Sequence, residues 1–335
     1  MNDSVEYVSQ LAKLRFCHIR FHLRATKPVT FHGDLSSMIR GSLGWALKEV
    51  SCIRTCYIRV QDHMKVPKDC GVSRCPFRRI FLAEEWPRYD LHVLPKNYRI
   101  IAPRYEHAHT YHAGEILYFD LLLFGDGIAD APLWILAALK AGARGLGRKK
   151  VPFRLQEVHD IFTNDLLWTL DHTTPPIVPS SYSLQSFIPF YSPYIHSISL
   201  SFYTPLILRN SSLKEGSDEL PALSILIKSA LRRTHALMCS FEHFVQHRFI
   251  SDEIELFASA EVSGSLHAHH QMRYSASQRN KIPQFGMMGT LHYVMNEYAE
   301  WVWMILHMGS IVGIGNQTIL GFGGFEIHTE SSILE

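Results

Sequence analysis

Two stretches of the sequence resemble each other and indicate an internal duplication. Residues 136–158 read LAALKAGARGLGRKKVPFRLQEV, and residues 304–327 read MILHMGSIVGIGNQTILGFGGFEI. In each stretch a helical pattern leads through a glycine-rich loop to a pattern typical of a strand. A chain of 335 residues with 47% hydrophobic content can fill two compact cores. The sequence therefore predicts two units built on one plan.

The hydrophobic patterns that surround the repeat complete this plan. In the first half they predict strands over 15–26, 115–125 and 152–158 and helices over 35–51 and 131–142, with room for a further strand within 52–110. In the second half they predict strands over 196–208, 255–262, 287–294 and 323–327 and helices over 220–244 and 297–309. Each order reads βαββαβ, so we predict an α+β fold of two tandem ferredoxin-like (RRM-like) domains, whose open sheet faces are common RNA platforms.

A segment rich in proline and serine, residues 170–193, separates the two halves. It lacks helical periodicity and is typical of a linker. The sequence thus predicts an N-terminal domain over 1–169 with a cysteine-rich insertion at about 52–110. A C-terminal RNA-binding domain, which carries the second glycine-rich loop, is predicted over 194–335.

The charge balance excludes a protein that is coated in positive potential. Charged residues make up 19% of the chain and the formal net charge is +2, so any nucleic-acid surface must be local. The first residues, MNDSVEYVSQLAKLRF, contain no continuous apolar run, and the longest apolar stretches are too short to span a bilayer. We expect a cytoplasmic protein with no membrane partner.

The two glycine-rich loops are the first candidates for contact with phosphate. Glycines allow backbone amides to approach phosphates, and fixed cations add charge. Loop two lacks the lysine and hydroxyl residue of a nucleotide-binding P-loop, and taken alone it also fits a structural hairpin. Loop one also fits a solvated basic turn. The candidates in loop one are Arg144, Arg148, Lys149 and Lys150, and those in loop two are Gly313, Gly315, Asn316, Gln317, Gly321 and Gly323.

A third basic stretch, residues 273–289, combines cations with an aromatic ring that could stack on a base. Two arginines of the predicted helix 220–244 could extend this surface, although both features also fit solvent-exposed polar surface. The candidates are Arg273, Tyr274, Arg279, Lys281, Arg232 and Arg233.

Four cysteines cluster in the insertion with the spacing Cys52-x3-Cys56-x13-Cys70-x4-Cys75. Two such pairs would satisfy a tetrahedral zinc ion, but the gaps are looser than usual, and free thiols fit equally well. A zinc ion held by four thiolates has no open position. Such an ion would be structural and not catalytic.

Among the 20 histidines, His32 is distinguished by its position. It precedes the predicted helix 35–51, beside Gly33 and a few residues from Arg40. There an imidazole could act as a general acid or base on a bound ligand. It could equally pack against the helix entrance.

Five motifs, taken together, resemble one known family. They are IRGSLGWALKEVSC at 39–52, CPFRRIF at 75–81, RGLGRKKVPFRL at 144–155, RYSASQRNKIPQFGMMG at 273–289 and GIGNQTILGFGGFEI at 313–327. In this order they are similar to the CRISPR-associated precursor-RNA-processing endoribonucleases of the RAMP superfamily, in a longer branch that bears cysteines. The resemblance covers nearly the whole chain.

The resemblance implies an enzyme that binds CRISPR repeat RNA and cleaves precursor crRNA without a catalytic cofactor. A ribose 2′-hydroxyl would attack the adjacent phosphate, which leaves 2′,3′-cyclic phosphate and 5′-hydroxyl ends. His32 matches the region that often supplies a catalytic side chain in such enzymes, and Arg40 or Lys48 could stabilise the charged phosphate. Where relatives often have a histidine and a lysine in the final loop, this chain has Gly313 and Asn316.

Two other functions remain open at this point. The chain could be a non-catalytic subunit that binds the crRNA end in a CRISPR effector complex, or a RAMP backbone subunit that coats the guide. In either case, and for the enzyme too, other subunits of an effector complex are expected partners.

Overall fold

The computed structural model describes residues 2–51, 75–82, 95–147, 149–170, 175–191, 195–208, 219–242, 251–275, 280–295 and 299–329. Contacts divide the chain into two compact units. The C-terminal unit contains Met1–Arg15, Tyr182–His270 and Gln284–Glu335, and the N-terminal unit contains Phe16–Ser181 and Gln271–Pro283. The first fifteen residues thus group with the C-terminal unit, whereas the sequence placed them in the N-terminal domain. The domain bounds at 169 and 194 stay a prediction.

The helices are α1 (Asn2–Leu11), α2 (Ser36–Ser51), α3 (Ala131–Arg144), α4 (Leu223–Phe241), α5 (Ser251–Glu255) and α6 (Glu300–Val312). The strands are β1 (Arg15–Ala25), β2 (Val29–Asp34), β3 (Tyr98–Ile101), β4 (Arg104–Tyr111), β5 (Ile116–Phe124), β6 (Phe153–Asp160), β7 (Leu166–Thr169), β8 (Tyr182–Ser183), β9 (Ser197–Leu206), β10 (Glu261–Ser275), β11 (Asn280–Val294) and β12 (Phe325–Thr329). Of the helices described, none combines the length and the hydropathy that a membrane crossing requires.

The N-terminal unit is a ferredoxin-like domain with two additions. Its sheet has the order β3-β5-β1-β6-β7, and β1 pairs antiparallel with both β5 and β6. Without β7, this is the second-third-first-fourth strand order of a βαββαβ unit. Strand β7 extends the β6 edge, and β2 pairs with β4 in a separate two-stranded sheet. Both β3 and β4 lie in the insertion where the sequence left room for a strand.

Alternation along β1 explains how this sheet meets its helices. Ile19, Phe21 and Leu23 are buried, whereas Arg20 and Arg24, between and beyond them, are exposed. The Phe21 ring stacks on Phe119 of β5 with centroids 4.5 Å apart. One face of the sheet therefore forms the core and the other is open, as period-two patterning predicts.

The C-terminal unit repeats this plan. Its sheet has the order β10-β11-β9-β12, which again places the last strand beside the first. The Phe202 and Phe325 rings, on β9 and β12, lie 5.3 Å apart in its core. The predicted α+β fold with two ferredoxin-like domains is confirmed.

One predicted strand of this unit, 255–262, is wrong over most of its length. Glu255 ends α5, residues 256–259 form a 3-10 turn, and β10 begins only at Glu261. Ile254 and Phe257 are buried while Leu256 is 69% exposed, so burial here follows helical spacing and not alternation. The backbone of the basic stretch 273–289 contributes to the two 15-residue strands β10 and β11.

The internal duplication extends to the backbone of the two glycine-rich loops. Gly145, directly after α3, has φ 96° and ψ 141°, and Gly313, directly after α6, has φ 80° and ψ 150°. Two residues later, Gly147 and Gly315 have φ of 71° and 78°. Residues that have a side chain rarely adopt such backbone angles. The turn that leads from the helix back to the sheet in each half therefore requires the repeated G-x-G.

A histidine of α6 whose Nε2 atom is buried gives the fold a dependence on pH. The Nε2 atom of His307 is buried and has no hydrogen-bond partner among the described residues, and its ring packs against Trp303 at 4.3 Å. Burial lowers the pKa of His307 to about 4. Because the pKa of an unfolded histidine is about 6.5, the unfolded chain binds a proton first as the pH falls.

We predict that the His307 contribution to the free energy of unfolding falls by about 2 kcal/mol between pH 7 and pH 5. His307→Phe, which keeps a ring but cannot titrate, should remove this part of the pH dependence, whereas His267→Phe on exposed β10 should not. Urea unfolding at several pH values measures the pH dependence of the free energy of unfolding in each variant. Equal pH slopes in wild type and His307→Phe would contradict the assignment.

Candidate functional site

His32 lies on the outer face of the β2–β4 sheet. Strand β2 shows the burial pattern buried-exposed-buried-exposed over Val29–His32, and the register with β4 shifts between Phe31 and Gly33. Among the described residues, neither a hydrogen bond nor an ion pair engages the His32 ring. The imidazole is thus accessible on a strand whose buried neighbour, Phe31, fixes its position.

The turn between His32 and α2 is held by a buried carboxylate. Asp34 Oδ1 accepts a hydrogen bond from the Ser36 backbone N–H at 2.6 Å, and Oδ2 accepts one from Arg104 Nε at 2.6 Å. The Asp34 side chain is 1% exposed. It therefore binds the N–H of the first residue of α2, and it ties β2 to β4 through a charge-assisted contact.

The two cations of α2 occupy separate environments. Arg40 Nε donates a hydrogen bond to Tyr98 Oη at 2.9 Å, and its guanidinium lies 4.4 Å from the centre of the Phe81 ring. Burial raises the pKa of Tyr98, so this hydroxyl stays protonated. Lys48 Nζ lies 5.8 Å from the Trp45 ring, two helical turns or about 12 Å further along α2. The roles predicted for both cations stay predictions.

Loop one presents its lysines at the tip of a tight turn. Leu146 and Val151 exchange backbone hydrogen bonds of 2.9 and 3.2 Å, and Lys149 and Lys150 between them are exposed. Arg144 behaves differently, because its guanidinium contacts Glu49 at 2.6 Å. Arg148 lies outside the described residues. The exposed lysines are therefore the described cations of this loop that remain open to a ligand.

Loop two uses most of its amides within the protein. The N–H of Gly315 donates to Ser229 Oγ at 2.7 Å, and that of Asn316 donates to the Ile207 carbonyl at 2.7 Å. The N–H of Gly323 donates to the Pro205 carbonyl at 2.9 Å. The glycine-rich loop is thus fastened to the end of β9, and these amides are not available for a phosphate.

Close packing supplies the reason for the glycines of loop two. A Cβ on Gly323 would lie 1.7 Å from the Ile314 carbonyl oxygen, and one on Gly315 would lie 2.4 Å from that of Ile207. Gln317, by contrast, has φ 61° without being glycine, and with Asn316 it is partly exposed. Asn316 and Gln317 are the two candidates of this loop whose side chains can reach a ligand. Gly313 and Gly321 also adopt positive φ, at 80° and 75°.

The remaining predicted RNA-binding residues lie in different environments. Arg233 Nε donates to the Val312 carbonyl at 2.7 Å and so supports the end of α6, while Arg232 is exposed on α4. The backbones of Arg273, Tyr274 and Lys281 lie in β10 and β11. Arg279, and the side chains of these three, lie outside the described residues.

The cysteine prediction is untested for the same reason. Cys75 is buried and forms no disulfide, but Cys52, Cys56 and Cys70 lie outside the described residues. The zinc prediction stays a prediction.

The open face of the N-terminal sheet holds polar residues that the sequence patterns did not single out. Arg20 donates to Asp120 through Nε at 2.7 Å and Nη2 at 2.9 Å, and His18 Nε2 lies 3.1 Å from the same carboxylate. Burial raises the pKa of Asp120, but the hydrogen bonds from Arg20 and His18 outweigh it and leave this pKa below its usual value. Asp120 therefore stays ionised and balances Arg20.

Next to this pair, His22, Glu157 and His159 converge across β1 and β6, and their ligand atoms all lie within 4.8 Å of one another. A signal was present in the sequence. The spacing Glu-x-His occurs at 157–159 and again at 326–328, at corresponding places in the two halves.

Comparison with protein families gives one match in each half of the chain. A family model described only as an N-terminal domain matches residues 14–175. The family of the CRISPR-associated endoribonuclease Cas6 matches residues 200–325, which run from β9 to the start of β12. Over this domain the chain is therefore similar to the Cas6 family. The comparison with curated proteins gave no match.

Solved Cas6 structures share the fold at low sequence identity. A chain of a partial Cas6-RT-Cas1–Cas2 complex matches with TM-score 0.55 and 14% identity over 95% of this chain and 46% of its own length. A chain of the Cas6-RT-Cas1–Cas2 complex has the same score and identity and is covered over 29% of its length. Cas6 of Thermus thermophilus gives 0.49 and 15% over 94% of this chain and 99% of its own. The chain thus spans half or less of the two complex chains, and its likeness to them shows the fold alone.

The packing of loop two gives a test of why its glycines are there. We predict that Gly323→Ala lowers the free energy of unfolding by more than about 2 kcal/mol, because the new Cβ meets a backbone carbonyl at a positive φ. Gly41→Ala in α2 is the control, since a Cβ there has nothing within 4 Å and alanine favours a helix. Urea denaturation compares the two. Similar stability of both variants would contradict the packing argument.

Proposed function

We propose that this chain is a metal-independent endoribonuclease that binds CRISPR repeat RNA and cleaves precursor crRNA into guide RNAs. The observation that carries the proposal is the match of residues 200–325 to the Cas6 endoribonuclease family. The products would be 2′,3′-cyclic phosphate and 5′-hydroxyl ends. No cofactor takes part in this chemistry, because the RNA supplies its own nucleophile and the protein supplies only proton transfer and charge.

His32 is the residue that we propose as general base or acid. Its exposure on β2 supports this role, because the ring can meet a 2′-hydroxyl or a leaving oxygen without first breaking a contact. Arg40 or Lys48 is proposed to stabilise the charged phosphate. Arg40 is already held by Tyr98 and Phe81, so its part is a fixed positive field near the site and not a flexible contact.

We propose that RNA binds through separate local surfaces, since the net charge is small. Lys149 and Lys150 at the tip of loop one, with Arg144 and Arg148 of the same loop, would contact the backbone. Arg232 on α4 would add a separate phosphate contact. Arg273, Tyr274, Arg279 and Lys281 would add phosphate contacts and a stacking ring. In loop two, Asn316 and Gln317 would contact RNA directly, while Gly313, Gly315, Gly321 and Gly323, with Arg233, would hold the loop in shape.

The cell compartment and the protein partners follow from the substrate. Precursor crRNA is cytoplasmic, so we propose that the protein acts there. The matched structures that are described as Cas6-RT-Cas1–Cas2 complexes support the proposal that this chain, too, works with other CRISPR proteins.

A non-catalytic subunit that holds the crRNA end is the second candidate. One difference from the resembled family favours it. In the final loop this chain has Gly313 and Asn316 where relatives often have a histidine and a lysine. A guide-coating backbone subunit would instead bind any RNA, so preference for one repeat separates it from the other two.

Lys149→Ala should weaken repeat-RNA binding and flatten its salt dependence. Loss of one phosphate contact lowers the slope of log K against log salt by about 0.7 to 0.9. Lys140→Ala is the matched control, because that lysine is paired with Glu49 at 3.6 Å. Fluorescence anisotropy across a salt series measures both. If the two variants have the same slope as wild type, loop one does not bind the RNA backbone.

We predict that the protein, in EDTA, cleaves the repeat RNA of its own host and that His32→Ala slows this by about 10² to 10⁴-fold. A substrate with 2′-deoxyribose at the cut site should remain intact, and His112→Ala, an exposed histidine beyond β4, should cleave normally. Product ends are read by mass spectrometry.

Other results are equally informative. Tight, repeat-specific binding without cleavage would favour the crRNA-end-binding subunit, and equal binding of unrelated RNA would favour the backbone subunit. Normal cleavage by His32→Ala would place the general base elsewhere. No binding at all would overturn the proposal.

A further inference from the structure

We propose that the open face of the N-terminal sheet binds one divalent transition-metal ion through His22, Glu157 and His159. The ligand atoms of these side chains lie within 4.8 Å of one another, and no other group of three His, Cys, Asp or Glu residues in the described part of the chain comes as close. Two ligands of a tetrahedral zinc ion stand about 3.4 Å apart. Small side-chain rotations would therefore close the site.

A β-bulge creates this cluster. Opposite β1, the register of β6 shifts so that His22 faces Glu157 while Leu23 faces Leu155. The extra residue, Gln156, reverses the alternation of β6. Without it, Glu157 and His159 would point to the helices. With it, they share the open face with His22, and bulges commonly redirect side chains at functional sites.

The orientation of His159 is suited to binding an ion. Its Nδ1 faces the Asn164 carbonyl at 3.4 Å, and its Nε2 faces Glu157 Oε2 at 3.0 Å. Both neighbours are hydrogen-bond acceptors. A neutral imidazole can donate only one proton, so a cation between Nε2 and the carboxylate satisfies the second acceptor.

The Asn164 carbonyl is itself held in place. The turn that carries it is closed by the Asn164 N–H to the Asp160 carbonyl at 2.9 Å and by the Asp160 N–H to the Asp165 carbonyl at 3.0 Å. Metal-binding histidines typically donate their other nitrogen to such a carbonyl, which fixes the tautomer and the ring. This outer partner is in place for His159.

The residues around His22, Glu157 and His159 do not oppose the binding of a positive ion. Arg20 is neutralised by its bidentate contact to Asp120, and the Tyr118 ring meets His22 edge-on at 4.8 Å. His22 and His159 are half-buried and Glu157 is exposed, so an ion can enter from solvent. Two imidazoles and one carboxylate suit Zn²⁺, Co²⁺ or Ni²⁺ better than Mg²⁺ or Ca²⁺, and they leave a position for water or a phosphate oxygen.

The second half of the chain supplies an internal control. In β12, Glu326 and His328 repeat the Glu-x-His spacing, with Nε2 and Oε2 3.8 Å apart. Their partners on β9 are Ser201 and Ser199, so no histidine stands where His22 stands in the N-terminal sheet. This pair has two ligands and should not hold the ion.

The test is a Co²⁺ titration of the full, tag-free protein after removal of metals with EDTA. We expect one equivalent to bind with the visible absorption of a low-symmetry cobalt site and without the near-ultraviolet band of thiolate ligands. His22→Gln and His159→Gln should each weaken binding by more than the roughly 10–100-fold that loss of an outer partner costs, and Glu157→Gln should weaken it too. His328→Gln should bind as wild type does.

The cysteines and the proposed RNA cleavage are separated within the same experiment. Cys70→Ser should bind Co²⁺ as wild type does. Loss of Co²⁺ binding in Cys70→Ser, or a wild-type spectrum that shows only a strong thiolate band, would assign the ion to the cysteines. Binding that is unchanged in both His22→Gln and His159→Gln, or that is equally weakened in His328→Gln, would overturn the site. Circular dichroism confirms that each variant is folded. The outcome does not depend on cleavage, which is assayed in EDTA.

Discussion

The pairing of each domain's last strand with its first is the interaction on which the rest of the structure depends. Strand β6 pairs with β1, and β12 pairs with β9. Each sheet therefore depends on a pairing between strands that are far apart in the chain. The return is made by a helix that ends in a G-x-G turn with positive φ at both glycines. Any residue with a side chain at Gly145 or Gly323 would strike a backbone carbonyl, so the strand could not come back at this distance.

The two halves have used this common frame in different ways. In the N-terminal half the turn carries exposed lysines, and the returning strand contains a bulge that brings Glu157 and His159 to the open face. In the C-terminal half the longer turn is fastened to β9 by its own amides, which leaves Asn316 and Gln317 at the surface. One duplicated scaffold thus offers a basic turn and a polar cluster in its N-terminal copy, and a rigid polar loop in its C-terminal copy.

Most of the fold could be predicted because strands and helices follow short-range patterns. The alternation in β1 and the helical spacing in α2 and α3 each lie within one segment. The prediction over 255–262 was wrong because a short apolar run fits either period, and only the burial of Ile254 and Phe257 against the core decides for a helix. The association of α1 with the C-terminal unit could not be predicted, since it depends on contacts between residues at opposite ends of the chain.

The sequence by itself determined the duplicated βαββαβ plan, the positions of the glycines and the exposed basic turn, because each is encoded in neighbouring residues. It also placed His32 before α2. Tertiary structure alone decided what those residues do. Only in the folded chain do the loop-two amides meet the end of β9, Arg144 meet Glu49, and Arg233 meet the end of α6. The cluster of His22, Glu157 and His159 depends on a one-residue shift between two strands, and cross-strand register is set by the packing of the whole sheet and not by any local pattern.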